Sequence, residues 1–298
     1  MFDEGQLYSP VTQDEHGVKV HLVAGHPGAN DLDYLERRGE IAAAALAWER
    51  GTPAPVIEYT EPEQNVWRTV CRELAPKHEQ LACRAYREAV GTLDLPRDRI
   101  PQVDEVSASL EPLTGFTYLP AAGLVPLAEF YGALADRKFH STQYIRHPDA
   151  PLYTPEPDLI HEVIGHGNLL ASPEFAELNQ RAGQAARRCE TKEALKFLAD
   201  VFWFTIEFGV LYEEGELRAY GAGILSSYGE IDEFRSMEIR PIDYLEMGTA
   251  DYDITHYQPV LYAAESMGQL VDSLGSFLTE FGDDTPERLK RSTASVAR

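Results

Sequence analysis

The stretch LKFLADVFWFTIEFGVLY, residues 195–212, is apolar around nearly its whole circumference. A helix of that kind must be covered on all sides, so it is expected to be the buried central helix of the fold. Glu207 stands within it, amid Phe202, Trp203, Phe204, Ile206 and Phe208. A carboxylate in such surroundings is costly unless it meets a cation, a metal or a proton. Asp200, Trp203 and Glu207, at i, i+3 and i+7, would share one face with polar ends. A salt bridge, for instance to Arg218, is the alternative to a metal.

Around this segment the patterning is mostly helical. DLDYLERRGEIAAAALAWER is alanine-rich, and VWRTVCRELAPKHEQLACRAYREAV spaces Trp67, Val70, Leu74, Leu81 and Tyr86 helically, with a break expected near Pro76. SPEFAELNQRAGQAARR reads as a helix with Ser172 as N-cap. HSTQYIRH is β-prone, and Val18, Val20 and Leu22 alternate within a loose arm or edge strand. The pattern predicts a mainly α fold with a few short strands: an N-terminal arm over 1–25, one catalytic domain over 26–281 and a polar tail over 282–298.

Composition narrows the partners. A formal charge of −23 argues against a phosphate backbone and against an anionic membrane surface. No apolar run is long enough to span a bilayer, and MFDEGQLYSP lacks the features of a secretory signal, so a cytoplasmic protein is expected. Cys71, Cys83 and Cys189 form no CxxC pair, which points to reduced thiols rather than a thiolate metal site.

HEVIGH, residues 161–166, is the second chemical signal. Its histidines are five apart, whereas the zinc-protease motif needs four. On an ideal helix, positions five apart diverge by about 140°. Gly165 could end or distort the helix and swing His166 back. Two ordinary histidines remain the competing reading. Taken with Glu207, however, they make two imidazoles and one carboxylate, the donor set of non-haem Fe(II) oxygenases.

FHSTQYIRH, LYTPEPDLIHEVIGH, FWFTIEFG and YGAGILSSYGE, in that order, resemble the pterin-dependent aromatic amino acid hydroxylases, closest to the bacterial-type phenylalanine hydroxylases. The likeness runs from about His26 to about Ser266. It implies a single, mostly helical catalytic domain holding a mononuclear Fe(II) in a deep basket. It also implies a tetrahydropterin cosubstrate and O₂, used to hydroxylate an aromatic ring. By this resemblance His161, His166 and Glu207 are the iron ligands.

The resemblance implies the other site residues too. Arg146, held by Asp158, takes the amino acid's carboxylate. Tyr153, Thr154, Trp203 and Phe208 line the substrate pocket, and Ser226 sits near an iron-bound histidine. On the pterin side it implies Phe130 as the stacking ring, the backbone of Gly123 and Val125, the acidic Glu162, and Phe139, Ala199 and Phe202 around them. The segment departs from the family at Gly167-Asn168, where an apolar residue and a proline are usual, and at Leu127 and Phe202.

Trp203 and Tyr153 resemble the phenylalanine branch, and Ile254 is apolar where tyrosine enzymes place an aspartate. Phenylalanine is therefore the expected substrate, with tyrosine as the family's usual product. Phenylalanine 3-hydroxylation and tryptophan 5-hydroxylation are the alternatives, and a zinc hydrolase is the distant one. With no regulatory segment before His26 and no long heptad helix after Phe281, a monomer is expected.

Overall fold

The computed structural model describes residues 9–296 apart from His16, Ile254 and Thr255. The chain begins with an antiparallel hairpin, β1 (Val11–Asp14) and β2 (Gly17–Val20), laid against α1 (Leu32–Ala47). Gly39 allows that approach, since a Cβ there would stand 2.7 Å from the Val18 carbonyl oxygen. Of the loose arm or edge strand expected here, the strand is what forms, as part of a docked hairpin.

α2 (Glu61–Leu81) opens on a capping box formed by Thr60 and Glu63 and runs unbroken through Pro76. The expected break is absent there. Pro76 and Arg72 lie on the exposed face, where the carbonyl that loses its donor can be hydrated. The chain turns instead at Cys83, whose N–H donates to Ala219 O, and α3 (Arg84–Leu93) follows.

α4 (Val103–Thr114) ends at Gly115, with φ of 77°. Next, β3 (Thr117–Ala121) and β4 (Lys138–Thr142) pair in parallel, joined through α5 (Leu127–Leu134). HEVIGH lies in a π-helix, His161–Gly167, continued by α6 (Asn168–Leu170) and then α7 (Pro173–Ala186). Ser172 occupies the N-cap position of α7 but caps no backbone N–H; its hydroxyl donates to Glu174 Oε2 at 2.7 Å.

The apolar run does not form one helix. α8 (Lys192–Phe202) widens into a second π-helix, Trp203–Glu207, and Val210–Glu213 is a strand, β5. β5 is buried at its start and pairs with β6 (Glu216–Ala219) antiparallel and with β8 (Val260–Ala264) parallel. β7 (Glu238–Pro241) completes a sheet ordered β6-β5-β8-β7. Continuous apolarity marks burial but cannot separate a buried helix from a buried strand.

Short helices α9 (Ala222–Ser226), α10 (Glu230–Glu233) and α11 (Tyr244–Met247) connect the sheet. α12 (Met267–Glu280) packs on α7, and α13 (Thr285–Val296) packs on α8 and α11. The segment expected as a polar tail is therefore helical. The expected class, mainly α with a few short strands, is the one observed. Among the described residues no helix is long and apolar enough to cross a membrane.

Close backbone packing gives a direct test. A Cβ on Gly183 of α7 would lie 2.2 Å from Ala135 N and 2.6 Å from Tyr131 O, whereas one on Gly132 of α5 meets nothing within 4 Å. Gly183→Ala should cost about 3 kcal/mol or more, because backbone atoms cannot yield as side chains do. Gly132→Ala should be neutral or stabilise by up to about 1 kcal/mol through helix propensity. Urea unfolding midpoints for the two variants check both values, and equal midpoints would contradict this packing.

Candidate metal centre

The five-residue spacing of the histidines becomes intelligible in the π-helix. A turn closed by i→i+5 bonds stacks positions five apart, so His161 and His166 face the same way. Of the two expectations for Gly165, ending or distorting the helix, the helix does not end there but is distorted into the π-turn. A Cβ there would sit 2.8 Å from Ala222 O, so glycine lets α9 press against the π-helix.

The two Nε2 atoms stand 3.0 Å apart, with ring planes at 87°. The second π-helix brings Glu207 to them. Its Oε1 is 3.0 Å from His166 Nε2 and its Oε2 is 3.6 Å from His161 Nε2. Arg218, the alternative partner for Glu207, instead donates to Gln80 O. Asp200 is taken by Lys196 at 2.7 Å and by the Tyr252 hydroxyl at 3.0 Å.

These separations are of the size that donor atoms take around one small cation. Bonds of about 2.1 Å at right angles put donor atoms about 3.0 Å apart, whereas a tetrahedral site needs about 3.4 Å. Two of the separations, at 3.0 Å, match the right-angled spacing, and the third, at 3.6 Å, is longer than either, so the set fits a single small cation without selecting its geometry. The Glu162 carboxylate also comes within 4.8 Å of a ring nitrogen of each histidine, so distance alone admits either acid as third ligand.

Electrostatics separates the two acids. Burial pushes Glu207 up, but His166 and then His161 more than offset it and hold the carboxyl below its usual range. Glu162 is driven well above the usual range, first by burial and then by the Glu207 and Asp158 carboxylates. Glu207 is the charged partner of the imidazoles, and Glu162 is a protonatable group beside them. Burial, reinforced by His166, lowers His161 to about 4, leaving its ring neutral and able to ligate near pH 7.

Neighbours orient the rings. His161 Nδ1 lies 3.0 Å from Ser226 Oγ, which donates to Gly223 O at 3.3 Å, and His161 N donates to Asp158 Oδ1 at 3.3 Å. An Nδ1–H bonded to Ser226 leaves Nε2 bare toward the centre. The His166 ring rests on Phe139 at 4.7 Å.

Among the residues expected to meet a substrate, Arg146 is 3% exposed and Asp158 fully buried. Asp158 accepts from Arg146 Nε at 2.9 Å, from Nη2 at 2.8 Å and from the backbone N–H at 2.8 Å. Arg146 outweighs the upward push of burial and holds the Asp158 carboxyl down. Trp203 stacks on Tyr252 at 4.8 Å, touches Phe208 at 4.5 Å and donates to Gln258 Oε1 at 3.2 Å. Thr154 Oγ1 donates to Glu156 O, while Tyr153 is 57% exposed. Ile254 lies outside the described residues.

Among the residues expected around a pterin, Phe130 meets Phe139 at 5.6 Å and Phe202 at 6.4 Å, both edge-on, so these rings lead from α5 to His166. Ala199 and Phe202 are buried on α8. Gly123 and Val125 lie in the loop before α5, and Val11 of the hairpin comes against Gly123. Sequence reasoning overlooked Gln258, which braces Trp203, and Tyr118, whose hydroxyl donates to Glu162 O at 2.6 Å. A buried phenol always raises the question of its partner, and that was the available signal for Tyr118.

The sequence model of one family, described as biopterin-dependent aromatic amino acid hydroxylase, matches residues 11–296. The chain is 48% identical to phenylalanine 3-hydroxylase of Streptomyces coeruleorubidus over 269 residues, 90% of this chain and 96% of that protein. It is 42% identical to phenylalanine-4-hydroxylase of Caenorhabditis elegans over 264 residues, 87% of this chain but only 58% of that protein. Chromobacterium violaceum phenylalanine hydroxylase, solved with bound iron(III) and 7,8-dihydrobiopterin, superposes with a TM-score of 0.70 at 29% identity, over 76% of this chain and 84% of that one. The same fold, a family match across almost the whole described chain and a relative of matching length agree: this chain belongs to the biopterin-dependent aromatic amino acid hydroxylases.

Proposed function

We propose that the protein hydroxylates the ring of L-phenylalanine, with Fe(II) held by His161, His166 and Glu207 and a tetrahydropterin as cosubstrate. The observation that carries this reading is the buried Arg146–Asp158 pair beside the triad: Asp158 binds the Arg146 side chain and the backbone N–H of His161 with one carboxylate. Among the described residues Arg146 Nη1 has no protein partner, so it is available to an amino acid's carboxylate. One end of the substrate is thereby tied to the element that bears the metal.

Iron with a tetrahydropterin supplies activation of O₂. The protein's residues do the rest. His161 and His166 turn their Nε2 atoms toward one point, and Glu207 brings a negative charge to the same face. Trp203, braced by Gln258, and Phe208 form an apolar wall against a ring and exclude water from it. Glu162 holds a proton next to the centre, where it can hydrogen-bond a heterocycle. The aromatic group of Phe130, Phe139 and Phe202 suits a flat pterin.

Phenylalanine is favoured by Trp203 and Tyr153, and by relatives named phenylalanine hydroxylases. For the ring position we favour carbon 3, because the relative named phenylalanine 3-hydroxylase is 48% identical and matched over 96% of its length. Para attack is the second reading, supported by the 4-hydroxylase at 42% identity. Asn168 does not contribute a side chain to the ring wall: its amide bonds Ile164 O and the Tyr86 hydroxyl.

Three outcomes are expected. Fe(II)-loaded protein given tetrahydropterin, O₂ and phenylalanine should yield meta-tyrosine by chromatography; only para-tyrosine would move the reading to carbon 4. No product from phenylalanine, tyrosine or tryptophan would end the proposal. Glu207→Ala should weaken Fe(II) binding by about a hundredfold or more in equilibrium dialysis, and retained stoichiometric iron would refute the triad. Arg146→Lys keeps the charge but loses the fork, so KM for phenylalanine should rise about ten- to a hundredfold with a much smaller change in kcat.

A further inference from the structure

The π-helix that bears both histidines is gripped by side chains from outside it. Ile164 O accepts from the Tyr86 hydroxyl at 2.8 Å and from Asn168 Nδ2 at 2.9 Å. Those two donors are 3.3 Å from each other. Glu162 O accepts from the Tyr118 hydroxyl at 2.6 Å. Tyr86 comes from α3, Tyr118 from β3 and Asn168 from α6, and all three are buried. None bonds to His161, His166 or the Glu207 carboxylate.

Gly167 belongs to the same arrangement. A Cβ at 167 would stand 3.0 Å from the Tyr118 hydroxyl, so glycine makes room for the phenol that reaches Glu162 O. The next residue, Asn168, supplies the amide for Ile164 O. Gly167 and Asn168 are the positions at which this segment departs from the family pattern, and the structure gives both a task on the π-helix.

A π-helical turn is rare and less favourable than the α-helical alternative, and it persists where surrounding groups hold it. Relaxation to an α-helix would carry His166 about 140° away from His161. Tyr86 and Tyr118, fixed in α3 and β3, and Asn168, at the C-terminal end of the turn itself, each bond a carbonyl of the widened turn and oppose that relaxation. We propose that Tyr118, Asn168 and Tyr86 are positioning residues: they hold the π register, and through it the angle at which His161 and His166 meet a divalent transition metal. The inference rests on the metal reading above and goes beyond it by naming what keeps the ligands aligned.

The test uses Co(II), whose visible absorption reports ligand geometry, bound to the full chain and to Tyr118→Phe and Asn168→Leu. Both variants should bind Co(II) about ten- to a hundredfold more weakly and show a shifted band, with a larger change in the double variant. Tyr244→Phe serves as control: it removes a phenol bonded to Ser273 Oγ at 2.7 Å on other elements and should leave spectrum and affinity unchanged. Circular dichroism separates loss of fold from loss of alignment, and if Asn168→Leu does not fold, Tyr118→Phe decides alone. Variants that fold with unaltered Co(II) affinity and spectrum, whatever their Tm, overturn the clamp. No Co(II) binding by the unaltered chain overturns the metal reading, and the clamp with it.

Discussion

Glu207 is a carboxylate held largely out of water, and a charge in that position must be answered within a few ångströms. His166 and His161 answer it at 3.0 and 3.6 Å, and both rings are oriented by groups behind them. Two separate helices widen into π-turns to bring this about, one at each end of the contact. An α-helix at either place would turn its ligand away. Much of the surrounding architecture follows from that need: α9 packs tightly on Gly165, and aromatic rings close over His166.

The second buried charge pair, Arg146 with Asp158, is linked to the first. Asp158 lies three residues before His161 and accepts its backbone N–H, so the carboxylate that steadies Arg146 also caps the start of the first π-helix. On the proposed reading, substrate recognition and metal geometry therefore share one residue. A change at Asp158 disturbs both, which makes Arg146 the cleaner probe of amino-acid binding.

Some of this was legible in the residues. HEVIGH and Glu207 stood out as an imidazole pair and a lone carboxylate, because polar groups in apolar surroundings need partners. The mixture of long helical periods and short β-prone runs indicated a mainly α fold. Local signals failed where tertiary contacts outweighed them. Pro76 did not break α2, because its exposed position tolerates a missing hydrogen bond. Ser172 did not cap α7, because its hydroxyl found Glu174. The run over 195–212 did not remain helical, because its end was needed as a central strand between β6 and β8.

The sequence alone determined which chemical groups were present, that Glu207 would stand amid apolar side chains, and that residues 161–166 could not act as a zinc-protease motif on a regular helix. Those conclusions depend on side-chain type and periodicity, which are local. Only the tertiary structure decided that the turn would be π-helical, that Gly165 would serve close packing, and that Tyr118, Tyr86 and Asn168 would bond its carbonyls. All but the Asn168 bond, which spans four residues, depend on atoms from segments far apart in the chain. A one-residue change of helical register costs little locally, and it was the packing of α3, α9 and β3 against the turn that selected it.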